Sequence, residues 1–478
     1  MNLKQSAFSA IRWTTFAMIV NTGLQFAQMA ILARLLVPSD FGLMAMVMAV
    51  MAFVHVFTDL GVSNAIIHHQ EISEEELSSL YWLNFLVGAI LALILMLGSY
   101  PISSYLFNQP HLQPILSIIS LSVLFIAAGQ QIRVVSEKAL NFSIVAKIEV
   151  FSTLVAFCVS ILWAFIKPSV YALVAGVVIS EAVKSLLLWV FARNGWRPRF
   201  RLKFDEIRRF LNFGGYVMAN NFINSFNLQA DVLIAGRLFP AATLGIYSLP
   251  RTLSLKVATM INPVVSRVGL PLMAKAQNDR EYLKSVYLKT IRMTASVNVP
   301  IYLGLAVFSQ EIISLLFGQK WGESAHLLTF LAFWGLLRSI GNPVGSLLLA
   351  VGKADLSFKW NFALLFVIPP ALWFFGRSGI QGLAVGQMVL LLILLIPGWY
   401  FLVRPNCGAG AWEYFKNLAI PTACAAPSVM VSYYLTSSVG ESMFRLTIAV
   451  LVSIPIYLIL SFLFNKMWVN AIKEIIKT

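Results

Sequence analysis

The chain alternates from end to end between long apolar runs and short breaks rich in charge, proline or glycine. The runs are about 20 residues or longer, the length a helix needs to cross a hydrocarbon layer about 30 Å thick. Barrel strands would instead read as alternating segments of about ten residues. Fourteen helical spans are expected, at about 8–35, 40–65, 79–107, 112–134, 144–167, 169–193, 210–238, 243–268, 286–315, 323–351, 356–376, 379–403, 414–436 and 443–465. In hydrocarbon each unpaired backbone group costs several kcal/mol, so the fold class is an all-α integral membrane protein.

The polar positions inside the runs reveal a duplication. Residues 19–42 read IVNTGLQFAQMAILARLLVPSDFG and residues 222–245 read FINSFNLQADVLIAGRLFPAATLG, aligned without a gap at an offset of 203 residues. Asn21 falls on Asn224, Arg34 on Arg237, Leu35 on Leu238 and Gly42 on Gly245. Apolar positions match by chance, but shared Asn, Arg and Gly positions rarely do. A second pair supports the first: SYLFNQPHLQPILSIISLSVLF from Ser104 lies on SLLFGQKWGESAHLLTFLAFWGLL from Ser314. The basic connection RNGWRPRFRLKFDEIRR, from Arg193, separates the halves. The expected organisation is a six-helix lobe at 1–200, a second at 201–405 and an additional helix pair at 406–478. Each half holds an even number of spans, which makes the repeat parallel.

Composition agrees: 59% of residues are hydrophobic and 12% charged, and the mean hydropathy is +0.80. The net charge of +15 sits in short loops and carries no nucleic-acid motif. Assigning loops alternately to the two sides gives one side most of the Lys and Arg, which by the positive-inside rule places both termini in the cytoplasm. Cys158, Cys407 and Cys424 have no disulfide or metal spacing. Residues 8–35 are long for a signal segment and read as a retained first helix. No nucleotide-binding or catalytic motif and no large extramembrane loop is present in the sequence, so neither catalytic residues, cofactor nor metal is expected.

Polar groups within spans are the candidate chemistry, because they must face protein or water. Asn220, Asn224, Asn227 and Asp231 share a stripe of span seven; Asn21, Gln25 and Gln28 share one of span one. Two readings stay open: walls of a polar cleft, or hydrogen bonds that hold the bundle together. Arg251 and Lys256 in span eight and Arg338 in span ten outnumber nearby acids and suit an anionic substrate such as a phosphate-bearing headgroup. Lys147 with Glu149 and Glu181 with Lys184 are open to structural pairing. Asp231, Asp59 and His55 are the candidates for proton or sodium coupling, with Asp59 also readable as a helix-end device.

The segment LGIYSLPRTLSLKVATMINPVVSRVGLPLMAKAQNDREYLKSVYLKTIRM, with PIYLGLAVFSQEIISLLFGQKWGESAHLL, RSIGNPVGSLLLAVGKADLSFKWN and the N-terminal ILARLLVPSDFGLMAMVMAVMAFVHVFTDLGVSNAIIHHQ, resembles the polysaccharide transporter family of the multidrug/oligosaccharidyl-lipid/polysaccharide exporter superfamily. The likeness covers most of residues 1–405 and is nearest to the colanic-acid-exporter type. It implies two six-helix lobes around a central cavity and alternating access. It also implies export of an undecaprenyl-pyrophosphate-linked oligosaccharide across the bacterial inner membrane, for exopolysaccharide or lipopolysaccharide biosynthesis, beside polysaccharide polymerase machinery. By analogy with related lipid II flippases, Phe444 to Phe464 could contribute a groove for the lipid tail. Two alternatives remain at this point: an ion-coupled multidrug exporter of the same superfamily, and a membrane polymerase or glycosyltransferase of the same pathway.

Overall fold

The computed structural model describes residues 3–59, 62–63, 66, 72–193, 196–200 and 203–470, with the side chains of 3–11, 59, 204–214, 216–217 and 264 outside that description. Among the described residues all regular structure is helical. By length and apolarity eleven helices can cross a membrane, or up to thirteen if each of two bent pairs is one span. The protein is therefore a multi-pass membrane protein.

The helices fall into two compact units, Met1–Gly245 and Ile246–Thr478. Unit 1 contains α1 (Leu3–Leu35), α2 (Pro38–Asp59), α3 (Glu74–Pro101), α4 (Leu112–Lys138), α5 (Phe142–Ile166), α6 (Tyr171–Leu187) and α7 (Phe204–Leu238). Polar residues set the helix starts. Ser73 accepts from the Glu76 amide at 3.1 Å while Glu76 accepts from the Ser73 amide at 2.9 Å, which turns the acidic run into the capped start of α3. Asp40 accepts from the amides of Val37 at 3.3 Å and Val170 at 3.0 Å, tying the start of α2 to the start of α6. Between spans the packing uses small residues, as expected where lipid offers no hydrophobic drive. A Cβ on Gly88 of α3 would lie 2.3 Å from that of Ala127 on α4, so the two helices are as close as glycine permits.

Helix α8 (Ala241–Lys275) runs across the boundary between units and bends by 44° after Pro263. Unit 2 continues with α9 (Arg280–Val307), α10 (Ser309–Phe317), α11 (Gly322–Ala350), α12 (Ala354–Gly376), α13 (Ile380–Gly398), α14 (Ala411–Leu435) and α15 (Ser442–Phe464). The run expected as one span at 286–315 is broken: α9 and α10 meet at 78°. Tyr287, Ile291, Tyr302, Tyr414 and Tyr457 form much of the core where α9 meets α11, α14 and α15. The last pair is held through α14 against α9 and through α15 against α14 and α10.

The duplication reappears in the helix boundaries. Helices α1 and α7 end at Leu35 and Leu238, and α2 and α8 begin at Pro38 and Ala241, so both boundaries repeat at the offset of 203. Likewise α4 begins at Leu112 and α11 at Gly322, matching the offset of the second aligned pair.

Candidate functional site

The ionisable groups of unit 1 gather on four helices. Arg133, on the last turns of α4, donates from Nε to Glu137 at 2.8 Å and lies with Nη2 3.1 Å from Glu149 on α5. Lys184 and Glu181, one turn apart on α6, pair at 2.6 Å. Lys147 does not join Glu149; its Nζ sits 4.9 Å above the Trp13 ring of α1. Helical spacing explains the division, because residues two apart on α5 face different neighbours.

These groups line two cavities. One, of about 380 Å³, lies between α1, α4 and α5 and is bordered by Asn21, Arg133, Glu137 and Glu149. The other, of about 190 Å³, lies between α2, α4 and α6 and is bordered by His55, Gln130, Arg133, Glu181 and Lys184. Sequence reasoning counted Arg133 among loop charges because the apolar run fades near residue 134. Helix α4 in fact continues to Lys138. The four-residue spacing of Arg133 and Glu137 was the available signal.

The stripe of span one divides. Asn21 reaches the larger cavity, and its buried Oδ1 has no hydrogen-bond partner. Gln28 faces inward, donating from Nε2 to Ser160 Oγ on α5 at 2.8 Å. Gln25 is exposed. On α7, Asp231 is fully buried, Asn220 and Asn227 are half-buried, and Asn224 is exposed. Asp59 is the last residue of α2, and its side chain lies outside the described ones.

Unit 2 holds the other cations. Arg251 on α8 is 7% exposed and lies 5.9 Å from the Trp334 ring of α11. Tyr302 of α9 donates to the Ser254 carbonyl at 2.7 Å, and Ser339 of α11 donates to the Tyr302 hydroxyl at 3.3 Å. Ser266 donates to Asn342 at 2.8 Å. Helices α8, α9 and α11 therefore meet along a polar seam. Arg338, on α11, is within electrostatic reach of Tyr302, and Lys256 lies on α8, both half-buried. No group of three or more potential metal ligands occurs among the described residues.

Residues 31–326 match the model of a family described as polysaccharide biosynthesis protein. The chain is 32% identical to the lipopolysaccharide biosynthesis protein WzxC of Escherichia coli K12 over 91% of its own length and 88% of that protein. The solved lipid II flippase MurJ, in an inward closed conformation, superposes with a TM-score of 0.78 at 15% identity, covering 96% of this chain and 99% of that one. An inward-facing multidrug resistance MATE family transporter superposes with a TM-score of 0.64 at 13% identity, covering 86% and 98%. Both structural likenesses concern the fold.

Proposed function

The chain belongs to the polysaccharide biosynthesis protein family, and from that membership we propose that it is a flippase for a lipid-linked oligosaccharide. The substrate is an undecaprenyl-pyrophosphate-linked oligosaccharide, moved by alternating access from the cytoplasmic to the periplasmic leaflet of a bacterial inner membrane. The likeness to WzxC and the fold shared with MurJ support this class. The working division is a lobe at 1–200, a lobe at 201–405 and the helix pair at 406–478, with both termini cytoplasmic.

The observation that carries the chemistry is the buried Arg251 on the seam of α8, α9 and α11. A buried guanidinium in an apolar bundle is costly unless an anion or a polar network meets it, and a pyrophosphate meets it well. Arg251, Lys256 and Arg338 would receive the pyrophosphate. Asn21, Gln25, Asn220, Asn224 and Asn227 would offer amides to sugar hydroxyls, while Gln28 is held by Ser160 as a link between α1 and α5. Asp231, Asp59 and His55 are the ion-coupling residues of this reading, and α15 offers its exposed Phe444, Leu451 and Phe462 to the lipid tail. A multidrug-exporter reading shares the fold, but cationic drugs would be repelled by the cations of unit 2.

The test is export of surface glycan by cells lacking the wild-type protein. Arg251→Gln and Arg338→Gln should reach the membrane folded and fail to restore export. Full export by both variants would sink the assignment.

A further inference from the structure

Unit 2 holds a cavity of about 420 Å³ between α10, the start of α11 and the start of α15. Helix α10 follows the 78° break, and the short helical turn Gln319–Trp321 leads from it into α11. Gln310, Glu311 and Ser314 stand three and four residues apart on α10, so they share one face. The adjoining Ile313 and Phe317 are buried and seat that helix. Gln319 comes from the turn, and Ser442 and Arg445 from the first turn of α15. With Gly318, Gly322 and Gly440, every lining residue is polar or glycine, in a chain that is 59% hydrophobic.

Glu311 and Arg445 are the only charges among those lining residues, and they are spent on each other. The cavity therefore offers little to a phosphate, which needs an unopposed cation, or to a metal ion, which needs more than one carboxylate. Nor does it give an acyl chain or a drug an apolar wall. Hydrogen-bonding capacity is what remains. A guanidinium carries five N–H donors and a carboxylate about four acceptor sites, and the contact between Arg445 Nη1 and Glu311 uses one of each. The amides of Gln310 and Gln319 and the hydroxyls of Ser314 and Ser442 both donate and accept. A neutral ligand rich in hydroxyls, each a donor and an acceptor, matches that set, and a saccharide is such a ligand. The volume lies within the about 300–1,000 Å³ of small-molecule sites. Gln310, Gln319, Gly322 and Gly440 are exposed and form the rim. The ion pair, 10% and 18% exposed, forms the floor, where charge-assisted bonds to hydroxyls are strongest.

The aligned turn of unit 1 shows that the opening is no by-product of the turn itself. In the segments from Ser104 and Ser314, Asn108 corresponds to Gly318, Gln109 to Gln319 and Leu112 to Gly322. Both turns use a positive φ, 52° at Asn108 and 93° at Gly318. Leu112 is fully buried, whereas a Cβ on Gly322 would meet nothing within 4 Å. The side chain that packs the first turn is thus missing from the second, and Gly322 opens on the cavity instead.

We propose that this cavity is a saccharide site that receives the glycan end of the substrate. The proposal rests on the flippase reading and deepens it. In the orientation proposed above, the turn between α14 and α15 is periplasmic, so the site takes up sugars on the side to which they are delivered. Arg251, Lys256 and Arg338 would meet the pyrophosphate, whereas Gln310, Gln319, Glu311 and Arg445 would meet sugar hydroxyls. A sugar bound there favours the states in which the glycan has crossed, by as much as it binds them better than the others.

The experiment is calorimetric titration of the full chain, in phosphatidylcholine nanodiscs, with the free repeat-unit oligosaccharide that mild acid releases from the cells' own surface glycan. Wild type should bind it. Gly322→Leu, at a helical position with open space around the added side chain, should melt with wild type and bind at least about tenfold more weakly, because the side chain fills the cavity as Leu112 fills its own turn. Gln310→Ala and Gln319→Ala, both exposed and so of little structural weight, should each weaken binding about two- to tenfold, the worth of one hydrogen bond. Arg251→Gln and Arg338→Gln should leave it within about twofold of wild type, since they change charge elsewhere. Glycerophosphoethanolamine should not displace the sugar; displacement would make this a lipid-headgroup site and overturn the proposal. Absent binding, or binding that survives Gly322→Leu and both Gln variants unchanged, also overturns it and leaves the flippase reading, which is tested by export, standing. Binding lost in Gly322→Leu, together with full export by Arg251→Gln and Arg338→Gln, would keep the saccharide site and sink the flippase reading instead.

Discussion

Gly42 and Gly245 occupy equivalent positions of the duplicated segment and pack reciprocally against one another's turns. A Cβ on Gly42 would lie 1.7 Å from the Ala241 carbonyl oxygen, and a Cβ on Gly245 would lie 1.7 Å from the Pro38 carbonyl oxygen. Pro38 and Ala241 are themselves equivalent under the offset of 203. The turn that follows α1 and the turn that follows α7, both within the first unit, thus meet backbone to backbone. This is the close approach that glycine allows and no other residue does.

Reciprocity gives the first prediction its form. Gly42→Ala and Gly245→Ala should each destabilise the purified protein by about 3 kcal/mol, the upper end of overpacking penalties, because the atom that must yield is a backbone carbonyl. The two losses should agree closely. Gly23→Ala, where nothing lies within 4 Å of the added carbon, should instead stabilise by about 0.5–1 kcal/mol through helix propensity. Thermal unfolding in detergent measures all three; an Ala tolerated at either position of the pair would remove the backbone contact from the account.

The second prediction separates the two readings of the span-one stripe. Gln28 donates to Ser160 across α1 and α5, so Gln28→Leu should lower stability by about 0.6 to 1.7 kcal/mol, the range for hydrogen bonds between membrane helices. Glycan export should persist at the level set by the amount of folded protein. Asn21→Leu, at the cavity edge, should reduce export per folded molecule. Equal export defects in the two variants would show that the whole stripe faces substrate.

How legible these features were in the sequence differs from residue to residue. Asn, Arg and Gly positions registered the expected repeat, and the helix ends at Leu35 and Leu238 keep its offset although the turn residues differ, Pro38 and Asp40 standing where the second segment has Ala241 and Thr243. The 78° break after Val307 left no comparable mark. Pro300 lies within α9, while the break falls at Phe308, which has neither of the residues that usually signal one. Period alone also could not say that Gln28 turns toward Ser160, since a stripe defines a face and not its neighbour. Arg133 was hidden for a related reason: hydropathy marks where an apolar run fades, whereas α4 continues beyond it through charged turns.

Loop charge makes the third prediction. Asn278 lies in the turn between α8 and α9, expected in the cytoplasm, and Ser438 lies between α14 and α15, expected on the outer side; both are exposed. In a background without Cys158, Cys407 and Cys424, a membrane-impermeant maleimide applied to intact cells should label Ser438→Cys. It should label Asn278→Cys only after permeabilisation. The opposite pattern would reverse the orientation derived from the positive-inside rule.

The last prediction concerns what holds the last helix pair. Polar contacts fix the pair α14–α15 at both ends of α15. At one end, Arg292 of α9 donates from Nε to Asn465 Oδ1 at 2.7 Å and from Nη2 to the Phe464 carbonyl at 3.3 Å, capping the helix. At the other, Arg445 Nη1 donates to Glu311, which α10 presents just after the 78° break, while the guanidinium lies 4.9 Å from the Tyr433 ring. The side chains are 18% and 10% exposed, so removing one partner leaves a largely dehydrated charge behind. Arg445→Met should therefore cost about 3–5 kcal/mol, whereas Glu311→Leu with Arg445→Met should recover most of that loss, since replacing both charges removes the desolvation penalty as well. Thermal unfolding of the single and double variants decides it. Should Arg445→Met melt with wild type, the pair would be no anchor, and α15 would have to be held by Arg292 and apolar packing alone.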